Sequence, residues 1–147
     1  CLTSQFNCTR LAVPHLQKSP NPSIINLSSS AGKFGFFNRS AYAAAKWGVV
    51  GFTKSISRDL GPLGIRVNAI LPGIEEGDRI RRVIEAKSQV LGKPFAQVES
   101  EWLDLASIKE MVKPEQLADM MLLIASPRGR TISGQAISID SDLQALV

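Results

Sequence analysis

IINLSSSAGKFGFFNRSAYAAAK, residues 24 to 46, is the stretch on which the reading of the fold turns. It opens as a short apolar run, breaks at three serines and Ala31-Gly32, and resumes as a helix-forming segment with Tyr42 and Lys46 four residues apart. Side chains at i and i+4 share one helix face, so this phenol and this ammonium are neighbours. Ser23 to Leu27 has the length and the adjacent isoleucines of a buried strand, and the serine-rich loop begins at its carboxyl end. In open α/β sheets ligands gather at that edge, because strand ends and helix starts present loops and unpaired backbone donors to one crevice.

Upstream, residues 2 to 17 place Leu2, Phe6, Leu11, Val13 and Leu16 at loosely helical spacing before the breaker Ser19-Pro20-Asn21-Pro22. Downstream, Ser40 to Leu60 predicts one long helix, with Ser40 as N-cap and Gly61-Pro62 as its stop. Ile65 to Leu71 predicts a second strand that runs straight into Pro72-Gly73, and the strand, helix, strand order implies a parallel pair. Residues 74 to 113 loosen into helical pieces separated by Gly92, Lys93 and Pro94, a long excursion with the character of a lid. Pro114 suits a helix N1 position, and Leu117, Met120, Met121 and Ile124 follow at i, i+3, i+4 and i+7 until Ser126-Pro127 closes the helix. Ala136, Ile137 and Ile139 form a third short strand. The expectation is a single α/β domain over residues 1 to 147, with no repeat or interdomain linker.

Composition narrows the function classes. A chain of 147 residues with 44% hydrophobic content can bury one core and has little room for a second. Cys1 and Cys8 match no zinc pattern and are too few for a disulfide scaffold, so free thiols in a cytoplasmic protein are expected, with no metal site. No run approaches the roughly 18 apolar residues of a membrane span, and no basic start with an apolar h-region is present. The net charge of +4 comes from 17 scattered Lys and Arg against 13 acidic residues. Only Arg79, Arg81 and Arg82 cluster, among Glu75, Glu76, Asp78 and Glu85, which reads as a solvated helix face and leaves no nucleic-acid surface. His15, the sole histidine, has no nucleophile at recognisable spacing and reads as a helix-end residue. Gly32-Lys33 fails as a phosphate loop, since Phe34 stands where a hydroxyl is needed.

The chemistry must come from residues 24 to 46, where a strand end and a helix bring together a hydroxyl, a phenol and an ammonium. A free phenol ionises near pH ~10, so it exchanges protons poorly at neutral pH unless positive charge stabilises the phenolate. Lys46 can supply that charge from one turn away. Tyr42 could then pass a proton to or from a substrate oxygen that Ser29 holds by a hydrogen bond. That set suits interconversion of a carbonyl and an alcohol. Taken alone, Tyr-x-x-x-Lys is more often a surface pair with a snorkelling lysine.

The context changes that weighing. Tyr42 and Lys46 follow a strand ending in Asn26-Leu27-Ser28-Ser29 and a glycine-containing loop, and precede a strand ending in Asn68-Ala69-Ile70-Leu71-Pro72-Gly73. This arrangement resembles the short-chain dehydrogenase/reductase family. The resemblance covers essentially the whole chain, which looks like the C-terminal part of such a domain. It implies a Rossmann-like, doubly wound parallel sheet of which only the C-terminal strands and helices are present. It also implies hydride transfer between NAD or NADP and a small-molecule carbonyl or alcohol substrate. In that family a serine like Ser29 orients the substrate oxygen and a tyrosine like Tyr42 is the acid/base. A lysine like Lys46 stabilises the phenolate and binds the nicotinamide ribose, and a turn like Pro72-Gly73-Ile74 cradles the nicotinamide. Ser29 is chosen over Ser28 and Ser30 because the family spacing and the following Ala31-Gly32 align there. The neighbouring serines are expected to satisfy backbone donors. Phe36, Phe37 and Trp102 are candidates for the pocket wall, with a core or oligomer-contact role as the alternative.

The sequence departs from the family pattern at several points. The glycine-rich pyrophosphate turn and the Asn-Asn-Ala-Gly segment are not found. Cys1 falls where the family's catalytic asparagine stands, Gly77 where many members have threonine, and Asp140-Ser141-Asp142 where Asp-Gly-Gly is usual. The strand at 23 to 27 is expected to leave one edge unpaired, so the chain is read as a fragment of a longer product or as one completed by a partner. The family usually forms homodimers or tetramers through helices like those at 2 to 17 and 40 to 60. The alternative reading is therefore an inactive, truncated fragment serving as an oligomerisation or binding module.

Overall fold

A computed structural model describes residues 2 to 146. The chain runs α1 (Leu2–Leu16), β1 (Ser23–Leu27), α2 (Ser40–Leu60), β2 (Arg66–Pro72), α3 (Asp78–Leu91), α4 (Phe95–Leu103), α5 (Pro114–Ala125) and β3 (Ala136–Ile139). The three strands form one sheet in the order β1-β2-β3. Both pairings are parallel, with Ile25 opposite Asn68 and Ile70 opposite Ile137, as the strand, helix, strand order requires. β1 is an edge strand, and among the described residues nothing pairs with its outer side.

β2 is the central strand, and its composition explains why. Val67, Ala69 and Ile70 are fully enclosed and Leu71 nearly so, because both faces of a parallel strand are covered by helices. Each large side chain of this kind contributes roughly 1.5–3 kcal/mol on burial. Ile70 packs with Val112, Leu117 and Ile124 on the α5 side, while Val49 and Thr53 bury the inner face of α2. A buried Asn26 Nδ2 donates to Thr53 Oγ1 at 2.9 Å, which fixes α2 over β1. Asn68, also enclosed, donates to Ile132 O at 2.8 Å and accepts from Gln135 N at 3.0 Å, so one amide holds the turn that launches β3.

Several local expectations shift. Ser40 is the first residue of α2 and not its cap; Arg39 occupies the cap position with no side-chain hydrogen bond. The stop at Gly61-Pro62 is a 3₁₀ turn over Gly61–Leu63, and the left-handed residue that reverses the chain is Gly64, with φ of 75°. β2 starts one residue later than the apolar pattern suggests, because Arg66 pairs with Ser23 at the strand start. At α5 the expected Pro114 start and Ser126 end hold, and Gln116 Oε1 accepts from Lys113 N at 2.9 Å, the back half of a capping box.

The excursion at 74 to 113 leaves and returns at one place. Val112 N donates to Ile74 O and Glu76 N to Val112 O, both at 2.8 Å. Its far side is tied to the C-terminal segment by Ser107 N to Asp142 O at 3.1 Å and Gln144 N to Leu105 O at 2.8 Å. α3 and α4 therefore overhang the carboxyl ends of the strands while their roots stay clamped.

Candidate active site

Below this overhang lies a cleft of about 540 Å³. Its floor is made by the carboxyl ends of β1 and β2. Leu27, Ser28, Ser29 and Ser30 line one side, Pro72, Gly73 and Ile74 the next, and Tyr42 and Lys46 project from α2. All six residues singled out by sequence, Ser29, Tyr42, Lys46, Pro72, Gly73 and Ile74, face this one cleft.

Ser29 caps a single 3₁₀ turn, Ser30–Gly32, and its Oγ accepts from Ala31 N at 3.2 Å. With that acceptor role filled by the backbone, the hydroxyl hydrogen is free to point at a bound oxygen. The flanking serines do something other than satisfy backbone donors. Ser28 Oγ donates to Lys46 O at 2.8 Å, and Ser30 Oγ donates to Pro72 O at 3.0 Å. Each therefore ties the serine loop to another wall of the cleft.

Lys46 Nζ donates to Leu27 O at 3.1 Å and lies 5.6 Å from the centre of the Tyr42 ring. The i, i+4 pairing on α2 and the carbonyl of Leu27, the last residue of β1, together hold the ammonium beside the Tyr42 ring. The Tyr42 ring is held edge-on by Phe36 at 6.4 Å, and the Arg39 guanidinium stacks on the other ring of that pair, 5.4 Å from the centre of Phe36.

Pro72-Gly73-Ile74 continues β2 past its last pair. Gly73 N donates to Ile139 O at 3.0 Å, and a Cβ on Gly73 would sit 2.6 Å from Asp140 Cα, so only glycine lets the two strand ends come this close. Gly77, where threonine is usual in the resembled family, has φ of 153°, a backbone that other residues rarely adopt. Phe36 and Trp102 line the cleft as expected, whereas Phe37 is 76% exposed and lies outside it. Sequence reasoning passed over Ile80, Val83, Leu105, Leu143 and Leu146, which complete the apolar wall; their helical or C-terminal placement carried no local signal. The position of Cys1 lies outside the described residues. Cys8 is a free, exposed thiol on α1.

An α/β sheet with a Ser, Tyr and Lys facing one cleft at its carboxyl edge defines the class of protein: a Rossmann-like fold with the site at the strand ends. Comparison with known proteins takes this further. The family model described as enoyl-(acyl carrier protein) reductase matches residues 1–142. The 3-oxoacyl-[acyl-carrier-protein] reductase FabG of Thermotoga maritima is 34% identical over 142 residues, covering 97% of this chain and 53% of its own length. A 3-oxoacyl-[acyl-carrier protein] reductase from Brucella melitensis, solved with bound NAD, superposes with a TM-score of 0.76 at 29% identity over 97% of this chain and 48% of that one. The F189W actinorhodin polyketide ketoreductase, solved with NADPH, gives a TM-score of 0.86 at 28% identity, covering 97% of this chain and 56% of that one. The chain belongs to the short-chain dehydrogenase/reductase family. It spans about half the length of the curated relatives it matches. Among the described residues no helix is long and apolar enough to cross a membrane.

Proposed function

We propose that this chain carries the catalytic half of an NAD(P)-dependent oxidoreductase that interconverts a small carbonyl compound and its alcohol. The observation that carries the reading is the convergence of Ser29, Tyr42 and Lys46 on one cleft floored by Pro72-Gly73-Ile74. These residues fit the nicotinamide end of the cofactor. Lys46 keeps ammonium hydrogens beyond the one given to Leu27 O, enough for ribose hydroxyls, and Tyr42 lies beside it. The turn at 72 to 74 offers a half-buried wall for the ring. When bound, the nicotinamide supplies or accepts the hydride.

In the reductive direction Tyr42 gives its phenolic proton to the substrate oxygen as the neighbouring carbon becomes the alcohol carbon. Ser29 donates its free hydroxyl hydrogen to the same oxygen, favouring the charge that develops there. Lys46 offsets the phenolate left behind, which then regains a proton from water. The apolar wall of Ile80, Val83, Trp102 and Leu105 on the overhang keeps bulk water off the reacting atoms, so residues 74 to 113 act as a lid.

The reading is tested by following NADH and NADPH oxidation with a panel of ketones, for wild type and Tyr42→Phe. Loss of the phenolic proton is expected to lower kcat by at least ~100-fold. Equal rates in the two proteins would refute the role of Tyr42. A second reading, an inactive module that assembles through α1 and α2 as a homodimer or tetramer, is favoured by Phe6, Leu11 and Trp47, which are 51%, 66% and 51% exposed on those helices. A wild type that oxidises neither cofactor with any ketone would favour it.

A further inference from the structure

The loop that carries Ser29 is held by a charge pair which the reaction does not itself use. Lys33 Nζ lies 2.7 Å from Asp140 Oδ2, and the Asp140 side chain is only 5% exposed. The same oxygen is 3.3 Å from Ser30 Oγ, whose hydrogen is shared with Pro72 O at 3.0 Å. Gly73 packs directly on the Asp140 backbone. Lys33 and Ser30 follow β1, Pro72 ends β2 and Asp140 follows β3, so this network joins the carboxyl ends of all three strands. Beyond it, Ser141 and Asp142 take left-handed backbone angles, φ 56° and 55°, and turn the chain back so that Leu143 reaches the cleft wall.

We propose that Lys33 and Asp140 form a positioning latch that sets the Ser29 hydroxyl against the Pro72-Gly73 turn. A carboxylate this enclosed is costly to leave uncompensated, and Lys33 is its partner of opposite charge; pulling the lysine in draws the 3₁₀ turn at 30 to 32 down onto the ends of β2 and β3. Ser29 caps that turn, so its Oγ moves with it. Neither latch residue touches the reacting atoms. The inference rests on the reading of Ser29 as the residue that holds the substrate oxygen.

The test compares Lys33→Met, Lys33→Arg and Asp140→Asn by amide hydrogen exchange and by kinetics. Within the turn, Gly32 N donates to Ser29 O at 2.8 Å and Phe34 N to Ser30 O at 3.0 Å, so these two amides report on the loop. In Lys33→Met and Asp140→Asn they are expected to exchange about tenfold faster, while the β2 amides stay at wild-type rates. Lys33→Arg, which keeps the charge and the reach, is expected to restore slow exchange. In the kinetic arm kcat should fall about tenfold with KM little changed, as for a contact that matters most in the transition state, again with rescue by arginine. Unchanged exchange at Gly32 and Phe34, or an equal rise across β2, would overturn the latch. Faster loop exchange with wild-type kcat would overturn its link to Ser29. A wild type without turnover would count against the proposed function instead, leaving the exchange arm to decide the latch.

Discussion

Replacing Arg66 by methionine should loosen the attachment of α5 to the sheet and lower the stability of the fold without touching the cleft. Arg66 opens β2 and is 7% exposed. One guanidinium nitrogen donates to Ile124 O and, at 2.8 Å, to Gly129 O; the other donates to Asn21 Oδ1 at 2.9 Å and Ala125 O at 3.3 Å. All four acceptors are neutral, and three are carbonyls at or beyond the C-terminus of α5, where the helix dipole favours a cation. Hydrogen bonds from a charged donor contribute about 1.5–3 kcal/mol each and do not add fully. Methionine fills the stem's volume but takes the guanidinium from the buried Ile124 O, while Ala125 O keeps Asn21 Nδ2 at 2.7 Å and Gly129 O keeps Ile132 N at 2.9 Å, so the expected loss is about 2–3 kcal/mol, still a large part of a domain's total stability. Arg66→Lys keeps the charge and loses the planar fork, so an intermediate loss is expected. Urea denaturation monitored by circular dichroism gives both the midpoint and the slope m. A loss below about 1 kcal/mol at unchanged m would refute the idea that this guanidinium is what fastens α5 to the sheet.

Two further outcomes follow from the geometry. Gly73→Ala would drive a methyl to within 2.6 Å of the Asp140 backbone, so the strand ends must part, at a cost of about 1–3 kcal/mol in thermal or urea unfolding; wild-type stability would show that the close approach is not real. Glu101, on α4, is held below the ordinary carboxylate range, first by the hydrogen bond from Lys93 and also by Gln97, against a smaller opposing effect of desolvation. A carboxyl whose folded value is depressed contributes stability that is complete above its unfolded value and is lost as pH falls through the folded one. Lys93→Met should return the Glu101 carbon-13 titration to the ordinary glutamate range, and an unmoved midpoint would refute the assignment of cause.

The elements themselves were legible because their signals are local. β1 and α2 have the bounds that apolar runs, Pro20 and Pro22, and the Gly61-Pro62 break suggest, and the parallel order follows from strand, helix, strand. Ser29, Tyr42 and Lys46 were readable for the same reason: strand end, short loop and helix start are contiguous, so three chemical groups within eighteen residues reach one crevice. Cap details were less legible, since Arg39 and Ser40 compete for one position and backbone angles decide between them.

What lay out of reach was whatever depends on segments distant in sequence. Lys33 finds Asp140, and Arg66 finds Ile124, Ala125 and Gly129, only after the sheet and α5 have packed. The apolar wall of the cleft likewise gathers Ile80, Trp102 and Leu146 from three places. Sequence alone determined the sheet, the helices and the gathering of Ser29, Tyr42 and Lys46 at one strand edge, because periodicity, turn chemistry and short-range spacing are properties of neighbours along the chain. Only the tertiary structure decided how those three residues are held, because the charge pair, the buried guanidinium and the overhang of residues 74 to 113 exist through contacts that folding creates.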